Sequence, residues 1–408
     1  MDITSKTFLA VLRSALAGER AELGREISPE EWRKLFDLAR IHQVLPLFYD
    51  AVYPYVPGEL TSQTRQAVRV QVMRQTVKTS EFLELNRKLI AAGGRPLVVK
   101  GLICRNLYQN PDLRPSGDED VLIPEAQFEL CHRVFCDFGM ETTEESPAAA
   151  YEVPYRKVGG PLYIELHKHL FPPESAAYGD LNRFFEQVHQ RAVEEEIQGC
   201  RVYTMDPTDH LFYLICHAFK HFLHSGFGIR QVCDIILFAN RFGSRVDWLR
   251  ILKNCREIRA EKFAAALFAI GRNYLVFDPE LAAYPDAWKK IRVEAAPILE
   301  DLLSGGLYGD ATMSRKHSSN MTLTAVTAGK QGRKHGNTAL ASAFPPAEKL
   351  VGRYPYLKKH PYLVPVAWSH RLWKYSRETR TTKQNTAADA LKIGNERIEL
   401  LRKYGIVD

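Results

Sequence analysis

Apolar positions recur at helical spacing from the start of the chain, with Phe8, Leu9, Leu12 and Leu16 on one face. Ser28-Pro29-Glu30-Glu31 reads as a helix start, with a serine cap and proline in the first turn. Helices are expected over 30–42 and over roughly 60–92, stopped by Gly93-Gly94. The pattern then changes. Pro96-Leu97-Val98-Val99 is a short apolar, β-branched run that predicts a buried strand. Lys100-Gly101 turns it into a helix at about 102–109, which Asn110-Pro111 ends. The loop Asp112–Gly117 leads to a second strand, Asp118–Ile123, and then a helix over 125–138. Two more strands are expected at 151–158 and 162–169, joined through Gly159-Gly160-Pro161. Beyond residue 178 the periodicity is helical again, over 179–191, 207–224, 228–242, 246–257 and 260–276. Residues 311–340 are rich in Ser, Thr, Gly, Asn and Lys and read as a flexible linker. A polar helix is expected near 385–404.

These elements predict an α+β fold, a small mixed sheet flanked by N- and C-terminal helical regions. The expected segments are a helical region (1–94), a catalytic core (95–205), a helical domain (206–310), the linker (311–340) and a basic C-terminal segment (341–408). No run of eighteen apolar residues predicts a spanning helix. Asp2 and Arg13 interrupt the N-terminal apolar stretch, which therefore reads as an amphipathic helix and not a signal peptide. Seven cysteines without a C-x-x-C pair suit reduced thiols in a cytoplasmic protein. Charge is uneven: residues 311–408 hold 18 Lys and Arg against 6 Asp and Glu, whereas the rest holds 37 against 42. A basic tail on an acidic body suits a polyanion contact, and equally a solvated face.

Chemistry concentrates in Ser116-Gly117-Asp118-Glu119-Asp120. On a strand, Asp118 and Asp120 project from one face, their Cα atoms about 7 Å apart. Carboxylates so placed suit hard divalent cations. Glu165, between Ile164 and Leu166 on a later strand, is the third acid, since a carboxylate among apolar neighbours needs a charged partner. Gly101, ending a strand and opening a helix, could offer backbone N–H groups to a phosphate, with Lys100, Arg114, Ser116 and Gly117 around it. The helix 207–224 carries His210, His217, His221 and His224 along one face. These histidines are expected to support the catalytic domain, through acids such as Asp234, or to line its cleft. Arg230 and Asp234, four apart, are expected to pair along their own helix.

Val99-Lys100-Gly101, Tyr108, the loop Leu113–Gly117 and Asp118-Glu119-Asp120-Val121-Leu122-Ile123 together resemble a bacterial family of uncharacterised nucleotidyltransferases, a branch of the DNA polymerase β-like superfamily. Glu165-Leu166-His167, the histidine helix, Arg230 with Asp234, and the tail from Arg353 to Arg371 extend the resemblance over most of the chain. Three positions depart from the wider superfamily. Gly101-Leu102 stands where Gly-Ser is usual, with Ser116 as the substitute phosphate contact; Glu119 replaces an apolar residue, implying a solvated side to its strand; and the third acid is Glu165 in place of aspartate.

The resemblance implies transfer of a nucleoside monophosphate from ATP or another nucleoside triphosphate, with Mg2+ or Mn2+ held by Asp118, Asp120 and Glu165. The triphosphate would lie against Lys100, Gly101, Arg114, Ser116 and Gly117. The acceptor could be a protein, a small molecule, a sugar or an RNA. A kinase-like transfer of the γ-phosphate and a non-catalytic nucleotide- or partner-binding role are the alternatives.

Overall fold

The computed structural model describes residues 1–224, 226–305, 313–331, 347–350, 354–380 and 387–408. The N-terminal part is helical: α1 (Ile3–Ala17), α2 (Pro29–Ile41), α3 (Leu45–Val52) and α4 (Gly58–Ala91). The Ser28 side chain caps α2, and Glu31 reaches back to the cap backbone. This reciprocal arrangement satisfies two otherwise orphaned N–H groups.

The sheet has seven strands: β1 (Leu97–Val99), β2 (Glu119–Leu122), β3 (Met140–Glu141), β4 (Glu152–Lys157), β5 (Tyr163–His167), β6 (Val193–Ile197) and β7 (Cys200–Thr204). Their spatial order is β3-β4-β5-β2-β1-β7-β6. Between β1 and β2 lies α5 (Gly101–Arg105), and between β2 and β3 lies α6 (Phe128–Asp137). β2 runs antiparallel to β1 and parallel to β5. The α+β architecture with flanking helices is as the sequence predicts. The β6–β7 hairpin is not: Gln198 and Gly199 both adopt positive φ at its two-residue turn, the geometry of a tight hairpin. The segment expected to be helical over 179–191 forms only a 3-10 helix, Gly179–Phe185.

One face of the sheet packs on α4 and α6. Asn86 of α4 donates to the Arg201 carbonyl, and Phe135 of α6 meets Tyr155 edge to face. Across the other face runs α7 (Pro207–Leu223), capped by Asp206. It is followed by α8 (Ile229–Phe242), α9 (Trp248–Glu257) and α10 (Glu261–Tyr274). A continuous buried core runs from Phe8 to Val407.

The linker expectation needs correction. Residues Met313–Lys330 form a helix that packs on the helix Ala387–Lys403. Its small side chains are the reason. Met321, Ala325 and Val326 are buried, the Thr322 hydroxyl donates to the Leu223 carbonyl, and Met321 lies so near Gly394 that a Cβ there would be 2.5 Å from its sulfur. The remaining linker residues, 311–312 and 332–340, lie outside the described residues, as do 341–346, 351–353 and 381–386 of the C-terminal segment.

Candidate active site

The register of β2 and β5 sets Asp120 directly beside Glu165, and Leu122 beside His167. On β4, Glu152 stands opposite His167. Asp120, Glu165, His167 and Glu152 therefore share the sheet face beneath α7, because alternate residues of a strand point the same way. One ligand atom each from Asp120, Glu165 and His167 lies within 4.8 Å of the others.

Asp118, just before β2, is not one of these mutually close ligand residues, but it shares Lys100 with them. The Lys100 ammonium sits 2.8 Å from Asp120 Oδ2, 3.8 Å from Asp118 Oδ2 and 3.3 Å from His217 Nε2. Lys100 has φ 61°, a backbone state that costs a residue with a Cβ roughly 1–3 kcal/mol. The surroundings hold it there: its N–H donates to His210 Nε2, and His210 is steadied in turn by the Thr204 hydroxyl. α7 thus orients the lysine through two histidines. Burial, reinforced by the neighbouring Lys100, keeps His217 well below the ordinary histidine range, so a neutral ring accepts from the ammonium.

The acids are electrostatically unequal. Burial pushes Glu165 up to about 7, helped by the charges of Asp120 and Asp118. Asp118 goes the other way: burial opposes its ionisation, but Lys100, Lys78 and Arg230 hold it well below the usual carboxylate range. Burial also opposes a charge on His167, and Asp120 and Glu152 outweigh it, raising that ring. Asp120 is held between the Lys100 ammonium, 2.8 Å from Oδ2, and His167 Nε2, 3.3 Å from Oδ1, neither of them well aligned for a hydrogen bond.

The opposite side of β2 is closed. Glu119, expected on a solvated side, is fully buried. Its carboxylate accepts from the Leu102 N–H at 2.8 Å, from Arg105 at 2.6 Å and from the Ser116 hydroxyl at 3.1 Å, with Lys78 at 3.5 Å. A Cβ at Gly101 would lie 2.1 Å from Glu119 Oε2. Glycine is therefore required at 101 by an internal carboxylate that occupies the start of α5. Ser116 faces Arg105, Lys78 and Glu119 on this closed side.

Arg114 is likewise turned inward, forked on Asp234 of α8, where the Tyr108 hydroxyl also donates at 2.8 Å. Asp234 hence pairs with Arg114 and not with Arg230, whose guanidinium reaches the Pro115 carbonyl instead. These bonds fasten the loop before Asp118 to α8. Gly117 is exposed beside Asp118.

Sequence reasoning passed over Lys220 of α7. Burial lowers its affinity for a proton; Glu152 opposes that effect, Lys100 adds to it, and Glu165 and Asp120 oppose it further. A lysine within so apolar a helix was the available signal, because a buried ammonium needs acids nearby.

Acids on adjacent strands of a mixed sheet thus lie beside a strand–glycine–helix turn. Residues 28–275 match the family model of uncharacterised nucleotidyltransferases, and the chain belongs to that family. A crystal structure of an antigenic nucleotidyltransferase-like protein from Paracoccidioides brasiliensis is similar at 15% identity, over 52% of this chain and 96% of that one, with a TM-score of 0.29. No curated protein matches the chain. No helix among the described residues is long and apolar enough to cross a membrane.

Proposed function

We propose that the chain moves a nucleoside monophosphate from a nucleoside triphosphate to an acceptor hydroxyl, releasing pyrophosphate, with Asp118, Asp120 and Glu165 as its catalytic acids. The observation that carries this reading is the side-by-side register of Asp120 and Glu165, with Asp118 drawn to the same ammonium.

The cluster fits a divalent cation. It offers carboxylate oxygens of the hard type that suit Mg2+ or Mn2+, and one ligand atom each from Asp120, Glu165 and His167 lies within 4.8 Å of the others. Asp118, Asp120 and Glu165 would hold the ion, with His167 bracing Asp120. When bound, Mg2+ or Mn2+ supplies charge neutralisation to the reacting phosphates. The chain's own residues do the rest. Lys100 offsets the carboxylate charge, and Glu165 takes the acceptor proton as the acceptor oxygen bonds to the α-phosphorus. The bond from that phosphorus to the bridging oxygen breaks, and pyrophosphate leaves with the electron pair. Positioning and electrostatics carry such a transfer. The seven free cysteines, six of them buried, suit a reducing cytoplasm.

The test is incubation with triphosphates labelled at the α- or γ-position, a divalent cation and cell extract. Transfer of the α-label with pyrophosphate release is expected, and Asp120→Asn should reduce it by about a hundredfold or more. Transfer of the γ-label would overturn the reading in favour of a kinase-like reaction. A second reading, nucleotide or partner binding without turnover, draws on the Glu119 carboxylate at the start of α5. Binding with no label transfer to any species would establish it.

A further inference from the structure

Two adjoining cavities, of about 410 Å3 and about 530 Å3, share Gly117, the residue before Asp118. Arg74, Gly117 and Pro161 line both. Their sign is opposite to that of the cluster: five cations (Arg40, Arg74, Lys78, Arg156 and Lys157) face them, against a single carboxylate, Glu141. Three of the five are engaged. Arg40 pairs with Asp37 at 2.7 Å, Lys78 reaches the Ser116 carbonyl at 3.2 Å, and Lys157 lies over the Phe138 ring. Arg74 and Arg156 have no side-chain partner among the described residues, and both are exposed. A Cβ built on Gly117 would meet nothing within 4 Å, so the groove is open at that residue.

Free arginines are suited to phosphate, because their planar fork donates two parallel hydrogen bonds to its oxygens. The alternative phosphate cradle, the start of α5, is filled by Glu119, while Arg114 is committed to Asp234. We propose that Arg74 and Arg156 form a phosphate-binding groove that seats a substrate phosphate next to Asp118. The cavity volumes match a small molecule or a triphosphate tail. The proposal rests on the transferase reading for its biological sense, but not for its test.

That test is calorimetric titration with inorganic tripolyphosphate in the absence of divalent metal. Arg74→Ala with Arg156→Ala should weaken binding by about tenfold or more, while the double lysine variant keeps most of it. Thermal melting should be unchanged, since both side chains are exposed. Binding by the double alanine variant within about twofold of the parent protein would overturn the groove, as would no binding by the parent protein. Mn2+ binding, followed by its paramagnetic resonance, should survive the double alanine variant and be lost in Asp120→Asn. The groove can thus fail while the metal cluster stands, and the reverse. Competition identifies the source of the phosphate. If a non-hydrolysable triphosphate analogue excludes inorganic phosphate, the groove holds the triphosphate tail; if both bind together, it holds a phosphate of the acceptor. Either result upholds the groove.

Discussion

The two faces of β2 carry acids one residue apart, and they have opposite fates. Glu119 is saturated by a guanidinium, a backbone N–H and a hydroxyl, and no water reaches it. Asp120, on the other face, meets one ammonium and one imidazole, and an oxygen of it has no aligned donor among the described residues. A buried acid whose acceptor sites are filled by the chain is a fastening. One left incomplete, beside another carboxylate whose proton affinity is raised, is a candidate for chemistry.

The largest effect that would break this contrast is on stability. Glu119→Ala should cost about 3–5 kcal/mol, because it strands the Arg105 charge in the core; urea denaturation within about 1 kcal/mol of the parent protein would remove the fastening role. Gly101→Ala is expected to cost about 1–3 kcal/mol by forcing a methyl against the same carboxylate, and this added cost should shrink in a Glu119→Ala background, where the side-chain atoms it meets are gone.

The acidic face predicts a pH slope. Glu165 is raised from its ordinary 4.5 to about 7, so the folded chain holds more protons than the unfolded one between those values. Stability from this group is therefore present at low pH and is lost as pH rises from 4.5 towards 7, and Glu165→Gln should flatten the slope in urea melts across that window. Mn2+ affinity should rise over the same window as the proton is released. The smallest stability effect belongs to Asp120→Asn, within about 1 kcal/mol, since it relieves carboxylate repulsion while loosening Lys100. A large loss there would make Asp120 a second fastening.

Much of this was legible in the sequence. Strand alternation sets Asp120 and Glu165 apart from their apolar neighbours, and the register of β2 and β5 puts these two side by side, whereas Asp118 falls just before the strand. What escaped depended on distant partners. Nothing local tells that Glu119 meets Arg105 and Lys78, or that Arg114 reaches α8. The Met313–Lys330 helix has few large apolar residues, and it packs closely on a glycine-bearing neighbour. The β6–β7 hairpin hid behind three consecutive glutamates, although Gln198-Gly199 marked its turn.

The parallel pairing of β2 with β5 also guards against error. No tight turn fixes the alignment of two parallel strands, and sliding one of them by a single position would exchange its inner and outer side chains. Ile164 and Leu166 would then be thrust among carboxylates, and Glu165 into hydrocarbon. A one-residue misalignment is thereby penalised twice, and the native alignment sets Asp120 beside Glu165.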